Sequence, residues 1–399
     1  MRNIIGPPVV GDDIYGRDYE LARLWEHLEN GEHILMLAPR RVGKTSLMLE
    51  LKQAPRDNWD VIPVDVEGGH GPEDCVAAIV AKLAADPRYR TPIEAIPFLS
   101  AVKRVLRRLS AKIKIGSLQA DLTQAIGSEW DHAAAQLLAR LTNLPDTGRK
   151  LLITLDELPV LISRMLRAGD RTSDAELLLA RLREWRQAPT LRGRVHTLVG
   201  GSIGLEGLLR RVGLSALIND LVPFRLDSWE RPTAAGFLRE LGDDIDFRLD
   251  DESIARVLDL LMDPVPYHVQ LFFSELRDVC RGDPSRVSSK TINRCFAERL
   301  AGESGTPHLD HYETRLEIAL DEQEHEMAHA ILRLACKSRD GLRFADLKRF
   351  RREREQTFLS VLPVLEADGY LRRRGSHLAF RSNLLREWWR KRHGRGKGP

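Results

Sequence analysis

Short apolar runs alternate with longer helical patterns through the first half of the chain. Strands and helices in alternation are typical of a parallel sheet covered by helices, where ligands bind near the carboxyl ends of the strands. Each apolar run ends beside polar or glycine residues. We therefore predict an α/β core over residues 1–228. The four predicted strands are His33–Leu37, Val61–Val66, Leu151–Leu155 and Val195–Val199.

The pattern changes twice within and after this core. Between the second and third strands, the segment KIKIGSLQADL predicts a β-hairpin that turns at Gly116 and Ser117. From Trp229 the pattern is helical without strand-like alternation, which predicts a helical lid over residues 229–305. The stretch AGESGTPHLD, from Ala301 to Asp310, contains Gly, Ser and Pro and predicts a linker after the lid.

The last part of the chain, residues 306–399, has a pattern of its own. Three helical segments, EMAHAILRLACKS, FADLKRF and EQTFLSVLPVLEADG, precede two short strands, YLRRR and HLAFR. Gly375 and Ser376 join the two strands, and a final helix, NLLREWWRKRH, follows. Three helices followed by a β-ribbon are typical of a winged helix-turn-helix domain.

Charge is distributed unevenly along the 399 residues, whose net charge is +3. From residue 331 onward there are 19 Lys and Arg against seven Asp and Glu, so this end carries +12 and the rest carries −9. A basic segment of this kind favours an anionic partner. The four cysteines show no CxxC spacing, and no apolar run reaches the roughly 18 residues of a membrane-spanning helix. We expect a cytoplasmic protein with no membrane partner.

The first predicted strand leads into a phosphate-binding sequence. The segment APRRVGKTS departs from GxxxxGK[ST] only by Ala38 in place of the first glycine, and the helical segment LMLELK follows it. Such a loop aims backbone N–H groups at phosphates, while its lysine contacts the β- and γ-phosphates and its hydroxyl group contacts Mg²⁺. Lys44 and Thr45 have these two roles here. The predicted phosphate-loop contacts are Pro39, Arg40, Arg41, Val42, Gly43, Lys44, Thr45 and Ser46.

The third predicted strand ends in two adjacent acids, Asp156 and Glu157. Asp156 is predicted to hold Mg²⁺ together with Thr45, and Glu157 to act as the general base that activates water. Ser202 follows the fourth strand beside two glycines and is either a contact to the γ-phosphate or water, or a turn residue. We assign catalysis to Glu157, Lys44 and Ser202. No guanine-reading NKxD tetrapeptide occurs, which favours ATP over GTP.

Together these motifs resemble the archaeal-type ATPase family, in the STAND branch of the AAA+-related P-loop NTPases. The similarity runs over nearly the whole chain and includes YGRDYEL, PRRVGKTSL, VDVEG, LDELP, GGS, DPVPYHVQ and FRSNLLREWW. The resemblance implies a P-loop parallel-sheet core of the ASCE or AAA+-like kind, a helical lid and a winged domain, with ATP and Mg²⁺ as cofactors. It also implies that Gly16 and Arg17 lie near adenine and ribose, and that Pro266 reaches the nucleotide from the lid.

Three positions differ from the pattern of that family. Ala38 replaces the loop glycine, and Asn219 and Asp220 stand where the family has a Gly-Arg pair before the lid. Asp263 or Pro264 stands where the lid turn of the family has its glycine. These differences favour nucleotide binding over rapid turnover.

We expect an ATP-binding and ATP-hydrolysing molecular switch that binds DNA through its C-terminal winged helix. Arginine contacts to phosphates supply affinity with little reading of base sequence. A rival hypothesis is a STAND-type signalling or scaffold ATPase that uses the winged domain for protein contacts and nucleotide-controlled self-assembly. The candidate DNA contacts are Arg351, Arg352, Arg354, Arg372, Arg373 and Arg374.

The segment HEMAH, residues 325–329, matches the HExxH motif of zinc peptidases. In that motif two histidines on one helix face bind zinc and the glutamate acts as base. Ala328, Ile331 and Leu332 have instead the spacing of a helix packing face, and the sequence identifies no third ligand. A zinc peptidase is therefore a remote alternative.

Overall fold

The computed structural model describes residues 1–94, 115–144, 147–169, 171–201 and 204–394. Its larger sheet has five parallel strands, in the order β2-β3-β4-β1-β5. The four strands predicted from sequence are confirmed, each within two residues at either end. The strands are β1 (His33–Leu37), β2 (Trp59–Asp65), β3 (Lys150–Asp156), β4 (Val195–Gly201) and β5 (Leu221–Arg225).

Strand β5 is absent from the sequence-based prediction. It lies at one edge of the sheet and contains Pro223, whereas β2 lies at the other edge and contains Pro63. Proline has no N–H to donate to a neighbouring strand, so it is confined largely to edge strands. Both prolines occupy the positions where that loss costs least.

Helices cover both faces of this sheet, and side chains alternate between the faces along each strand. Ile34 and Met36 of β1 pack into one apolar cluster, and Leu35 between them packs into the other. The helices of this region are α1 (Asp18–Glu29), α2 (Lys44–Gln53), α3 (Pro72–Ala85), α4 (Pro87–Glu94), α5 (Ile115–Ile126), α6 (Trp130–Thr142), α7 (Leu158–Arg167), α8 (Thr172–Gln187) and α9 (Leu205–Arg211).

The hairpin predicted at Gly116 and Ser117 is wrong, because these residues lie in helix α5. Leu118, Leu122 and Ile126 are spaced four residues apart and are all buried, which is the pattern of one helix face. The helical period of the apolar residues outweighs the local turn signal of Gly and Ser.

The helical segment predicted after Trp229 is confirmed. It contains α10 (Arg231–Asp244), α11 (Asp251–Leu261), α12 (Pro266–Val279) and α13 (Ser289–Arg294), followed by a π-helical turn, Cys295–Leu300.

The predicted linker is wrong, because helix α14 (Thr306–Ala319) begins within it and Ala301 and Gly305 are buried. A Cβ atom on Gly305 would lie 1.7 Å from the carbonyl oxygen of Leu300. The glycine therefore permits close packing and does not mark a flexible connection.

The remaining elements are α15 (Glu322–Ala335), β6 (Leu342–Arg343), α16 (Lys348–Glu353), α17 (Glu355–Ala367), β7 (Leu371–Arg374), β8 (His377–Phe380) and α18 (Asn383–His393). Strands β6, β8 and β7 form an antiparallel sheet in that order, and Gly375 turns between β7 and β8 at a φ of +54°. The two predicted strands and the terminal helix are confirmed, whereas the short helix predicted from FADLKRF begins later, at Lys348. Within the described ranges, no helix is long and apolar enough to cross a membrane.

Packing of α8 against the sheet supplies a direct test of this fold. Leu179 is 1% exposed, whereas Leu177 on the same helix is 39% exposed. We expect Leu179→Ala to lower the free energy of unfolding by about 2–5 kcal/mol, because it leaves a cavity in the core. Leu177→Ala should change it by less than about 1 kcal/mol. Urea denaturation followed by circular dichroism measures both, and equal losses would contradict the burial of Leu179.

Candidate functional site

The loop between β1 and α2 places a lysine at the carboxyl edge of the sheet. Gly43 caps helix α2 with a φ of +100°, a left-handed conformation that glycine adopts without the strain of a Cβ atom. Lys44 is the first residue of that helix and is only 7% exposed. Its side chain therefore remains inside the site.

Two adjacent acids, Asp156 at the end of β3 and Glu157 directly after it, meet this lysine. Lys44 Nζ lies 2.8 Å from Asp156 Oδ1 and 2.5 Å from Glu157 Oε1, and Thr45 Oγ1 donates to Asp156 Oδ2 at 2.7 Å. Burial opposes the charge on Lys44, but the carboxylates outweigh it and raise the pKa of the ammonium group. The four side chains predicted to hold phosphate, Mg²⁺ and water thus form one cluster.

Strand β4, between β1 and β3, makes room for this cluster. Asp156 pairs in register with Gly200, and Leu37 at the end of β1 pairs with Gly201. A Cβ atom on Gly200 would lie 2.0 Å from the methyl carbon of Met48 and 3.3 Å from Cδ of Lys44. A larger residue at this register position would push the lysine away from the carboxylates.

A cavity of ≈ 340 Å³ opens beside the cluster. The phosphate-loop residues from Pro39 to Ser46 line it, together with Pro266 and Tyr267 at the start of α12. The guanidinium of Arg41 lies over the Tyr267 ring, 4.4 Å from its centroid. Helix α12 therefore lines one side of the cavity and contacts the loop through a cation–π interaction.

The chain is similar over nearly its whole length to solved structures of nucleotide-binding proteins. The Walker-type ATPase PABY2304 of Pyrococcus abyssi matches with a TM-score of 0.65 and 17% identity, over 97% of this chain and 99% of that one. The fold is that of an AAA+-like P-loop nucleoside triphosphatase. The ORC2 protein of Aeropyrum pernix, in ADPNP-ADP complexes, matches with a TM-score of 0.53 and 14% identity, over 95% of this chain and 94% of that one. No family model and no curated protein matches the sequence.

The predicted P-loop contacts differ in what they touch. The Ser46 hydroxyl accepts a hydrogen bond from the Val9 N–H at 3.1 Å, which joins the loop to the N-terminal segment. Val42 is buried, and Arg40 lies 3.5 Å from Glu67. These three residues shape the loop, and their contact with a nucleotide stays a prediction.

Arg17 contacts the P-loop, whereas Gly16 packs against the helical segment that follows the sheet. Gly16 has a φ of +59°, and a Cβ atom there would lie 2.3 Å from a methyl carbon of Thr233. The buried Arg17 guanidinium donates to the carbonyl oxygens of Val42 and Asp227, both at 2.8 Å. Arg17 also lines the cavity, so its predicted contact to the nucleotide is compatible with this bracing role. Ser202 lies outside the described residues.

One basic residue at the P-loop was missed entirely by sequence reasoning. Arg315 of α14 is buried, and its guanidinium lies 2.9 Å from Glu157 Oε2 and 3.7 Å from Glu67 Oε1. Burial opposes the charge on Glu157, yet Lys44 and Arg315 hold the pKa of that carboxyl at about 2. Nothing in the local sequence of α14 marks this arginine, because its role depends on how distant segments pack.

Two of the differences from the family pattern have structural partners. Asp220 lies 2.7 Å from the buried Arg186 of α8, so this acid fixes the helix beside the sheet. Asp263 pairs with Arg381, which also pairs with Asp227. Asp263 thus joins the turn before α12 to the residue that follows β8.

The HEMAH segment lies in α15 and forms no zinc site. The rings of His325 and His329 are in contact at a tilt of 47°, with centroids 4.4 Å apart, and His329 packs on Trp389 of α18 at 5.1 Å. Glu326 pairs with Arg354 across an exposed surface at 3.5 Å. In the part of the chain that the structure describes, no group of three or more His, Cys, Asp or Glu side chains could hold a metal ion. The zinc peptidase alternative is therefore wrong for these residues.

The candidate DNA contacts are not equally accessible. Arg351 and Arg352 are exposed at the end of α16, and Arg354 is exposed beside α17. On β7, Arg373 is exposed but pairs with Glu366 at 2.5 Å and lies over the Phe344 ring. Arg372 and Arg374 are half-buried.

A buried carboxylate from the C-terminal region lies near the P-loop. Asp368 is 1% exposed, and among the described residues neither of its carboxylate oxygens has a hydrogen-bond partner. Burial raises its pKa to about 7, although Arg315 and Arg40 act against that rise. Beside it, a Cβ atom on Gly369 would lie 2.9 Å from Cβ of Pro39, so this turn touches the P-loop.

The pKa of Asp368 predicts a pH-dependent stability. The folded chain binds this proton more tightly than the unfolded chain, so stability falls as pH rises from about 4 to about 7. Asp368→Asn should therefore raise the melting temperature above pH 7, and the gain should vanish near pH 4. Thermal melts across that range measure it. The exposed Asp340→Asn is the control, with changes below about 0.5 kcal/mol, and a pH-independent effect of Asp368→Asn would contradict the assignment.

Proposed function

We propose that this chain binds ATP with Mg²⁺ in the cavity beside the P-loop and hydrolyses it. The observation that carries the proposal is the convergence of Lys44, Thr45, Asp156 and Glu157 within hydrogen-bond distance at one edge of a P-loop sheet. A hydroxyl and a carboxylate oxygen 2.7 Å apart are the hard oxygen donors that Mg²⁺ prefers. When bound, the ion would neutralise charge that develops on the phosphates.

Each side chain has a separate task in this scheme. Lys44 exchanges its carboxylate partners for the β- and γ-phosphates, and the N–H groups at the start of α2 contact the same anions. Thr45 and Asp156 hold the ion. Glu157, no longer paired with Lys44, accepts the proton of the attacking water. The side chains that bind one another here are thereby redistributed between nucleotide and water.

Replacement of Lys44 and Glu157 separates binding from hydrolysis. Lys44→Ala should weaken ATP binding by about 100-fold, since charge-assisted contacts contribute roughly 1.5–3 kcal/mol each. Glu157→Gln should keep the affinity and lower hydrolysis by about 100-fold or more. Lys52→Ala, an exposed lysine on the same helix, should change neither.

Fluorescent-nucleotide titration and phosphate release measure the two properties. Hydrolysis at the parental rate in both the Lys44 and the Glu157 variants would refute the site.

We further propose that residues 306–399 form a winged helix-turn-helix domain that binds DNA and moves with the nucleotide state. The charge of +12 from residue 331 onward and the exposed Arg351 and Arg352 support it. The helices α15, α16 and α17, followed by the β7–β8 ribbon, give the element order that such a domain requires.

Paired arginine variants test the DNA proposal. In a gel mobility-shift assay, the parent protein should bind a DNA duplex of roughly 30 base pairs at about 50 mM salt. Its affinity should fall steeply as the salt concentration rises to about 200 mM. Arg351→Ala with Arg352→Ala should weaken binding about tenfold or more, because each removes a phosphate contact. Arg231→Ala with Arg239→Ala removes two equally exposed arginines from α10 and should leave binding unchanged. Equal losses in the two double variants would indicate non-specific attraction.

One observation favours the alternative of a signalling or scaffold ATPase. Helix α17, the helix that would read DNA, lines a cleft against α9, and Arg211 of α9 donates to the Ser360 carbonyl at 2.6 Å and pairs with Glu324 at 2.7 Å. The face of α17 that would contact DNA is therefore packed against α9 of the same chain. Under this alternative ATP would release α17 for self-assembly or a protein partner. Light scattering in the ADP and ATP states distinguishes a constant mass from nucleotide-dependent assembly.

A further inference from the structure

Helix α14 contacts the nucleotide site at two separate points. Arg315 reaches Glu157 at the start of α7, with 2.9 Å between Nη2 and Oε2. Seven residues earlier on the same helix, His308 Nδ1 lies 2.8 Å from the Tyr267 hydroxyl, and the Tyr267 ring supports Arg41 of the P-loop. The helix therefore touches both the acid that would activate water and the lid residue beside the loop.

The position of Arg315 is fixed by its surroundings. Its side chain is fully buried, and Arg167 of α7 donates to the Glu317 carbonyl of α14 at 3.0 Å. The Tyr370 hydroxyl donates to the carbonyl of Tyr312, one turn before Arg315. A guanidinium held in this way cannot leave Glu157 by side-chain rotation alone, so its release requires a shift of α14.

Both oxygens of Glu157 are occupied in this arrangement. Lys44 contacts Oε1 at 2.5 Å and Arg315 contacts Oε2 at 2.9 Å. A general base needs an oxygen free to accept a proton from water at hydrogen-bond distance. The phosphates of ATP offer Lys44 another anion, which frees Oε1. Arg315 belongs to a different helix and keeps its contact with Oε2 unless that helix moves, and a cation held there lowers the affinity of the carboxylate for the proton of water.

We propose that Arg315 is a positioning residue that restrains Glu157, so that the C-terminal region sets the rate of hydrolysis through α14. This inference rests on the proposed ATPase function. ATP binds with Arg315 in place, and rapid hydrolysis follows only when α14 withdraws the guanidinium from the base. Whatever partner displaces the C-terminal region would thereby accelerate turnover.

Substitution of Arg315 tests the restraint through kcat and KM separately. Arg315→Met should raise the kcat of ATP hydrolysis about tenfold and change KM by less than about twofold, because it frees the base without touching the phosphate loop. Arg315→Gln should act in the same direction. Arg315→Lys keeps a cation beside Glu157 and should remain within about threefold of the parental kcat.

A matched control distinguishes restraint from a general loss of packing. Arg186→Met removes another buried arginine that pairs with a carboxylate, Asp220 at 2.7 Å, away from Glu157. It should lower the melting temperature without raising kcat. If Arg315→Met does not fold, Arg315→Gln and Arg315→Lys supply the same comparison.

The outcomes are distinct. A parental or lower kcat in the Met and Gln variants would overturn the inference, and a lower kcat with a raised KM would make Arg315 a contact to the phosphates instead. A rise in kcat in Arg186→Met as well would also overturn it. If neither the parent nor any variant shows ATP hydrolysis that depends on Lys44, the proposed function and the inference about Arg315 both fail. If the parent hydrolyses ATP but the Arg315 variants show no higher kcat, the inference about Arg315 fails and the proposed ATPase function stands.

Discussion

The ion cluster of Lys44 with Asp156 and Glu157 is the interaction around which the rest of the site is arranged. Buried charges are costly unless each has a partner, and Lys44 is 7% exposed. Lys44 follows β1 and both acids stand at the end of β3, so the parallel register of β1, β4 and β3 brings them together. Gly200 in the middle strand leaves the space that the lysine side chain occupies. The buried charge of Lys44 is therefore paired only when the strands are arranged in this order.

The C-terminal region closes on the same edge of the sheet. Arg315 pairs with Glu157, Arg381 pairs with Asp227 and Asp263, and Gly369 packs on the P-loop. These contacts place cations and a turn from the end of the chain beside residues from its beginning. A shift of the C-terminal helices would therefore alter the P-loop and the acid at once. The P-loop edge of the sheet and the C-terminal region are thus in direct contact.

Three acids show how sequence differences and burial affect structural contacts. Asp220 and Asp263 stand where a related pattern has glycine or arginine, and each pairs here with an arginine. Asp368 differs, because neither of its oxygens has a hydrogen-bond partner among the described residues. The first two acids stabilise the closed arrangement when ionised, whereas ionisation of Asp368 opposes it.

The local sequence was sufficient to predict the elements that are marked by periodicity or by a short motif. The strand patterns, the P-loop and the adjacent acids after β3 predicted the sheet core and the residues of its charge cluster, because periodicity and motif spacing survive without tertiary contacts. The hairpin at Gly116 and the linker at Ala301 were wrong, since burial of a helix face and close packing overrode turn residues. The edge strand β5 was not predicted, because it contains Pro223 and proline is an unfavourable residue within a strand.

Arg315 and Asp368 could be recognised only in the folded chain. Arg315 lies 158 positions from Glu157, and no periodicity or motif relates the two residues. The pKa of Asp368 depends on burial, which local composition does not specify. The sequence alone thus determined which motif residues meet in the charge cluster at the end of β3. Tertiary packing decided which distant helix meets Glu157, because that contact depends on the path of the whole chain.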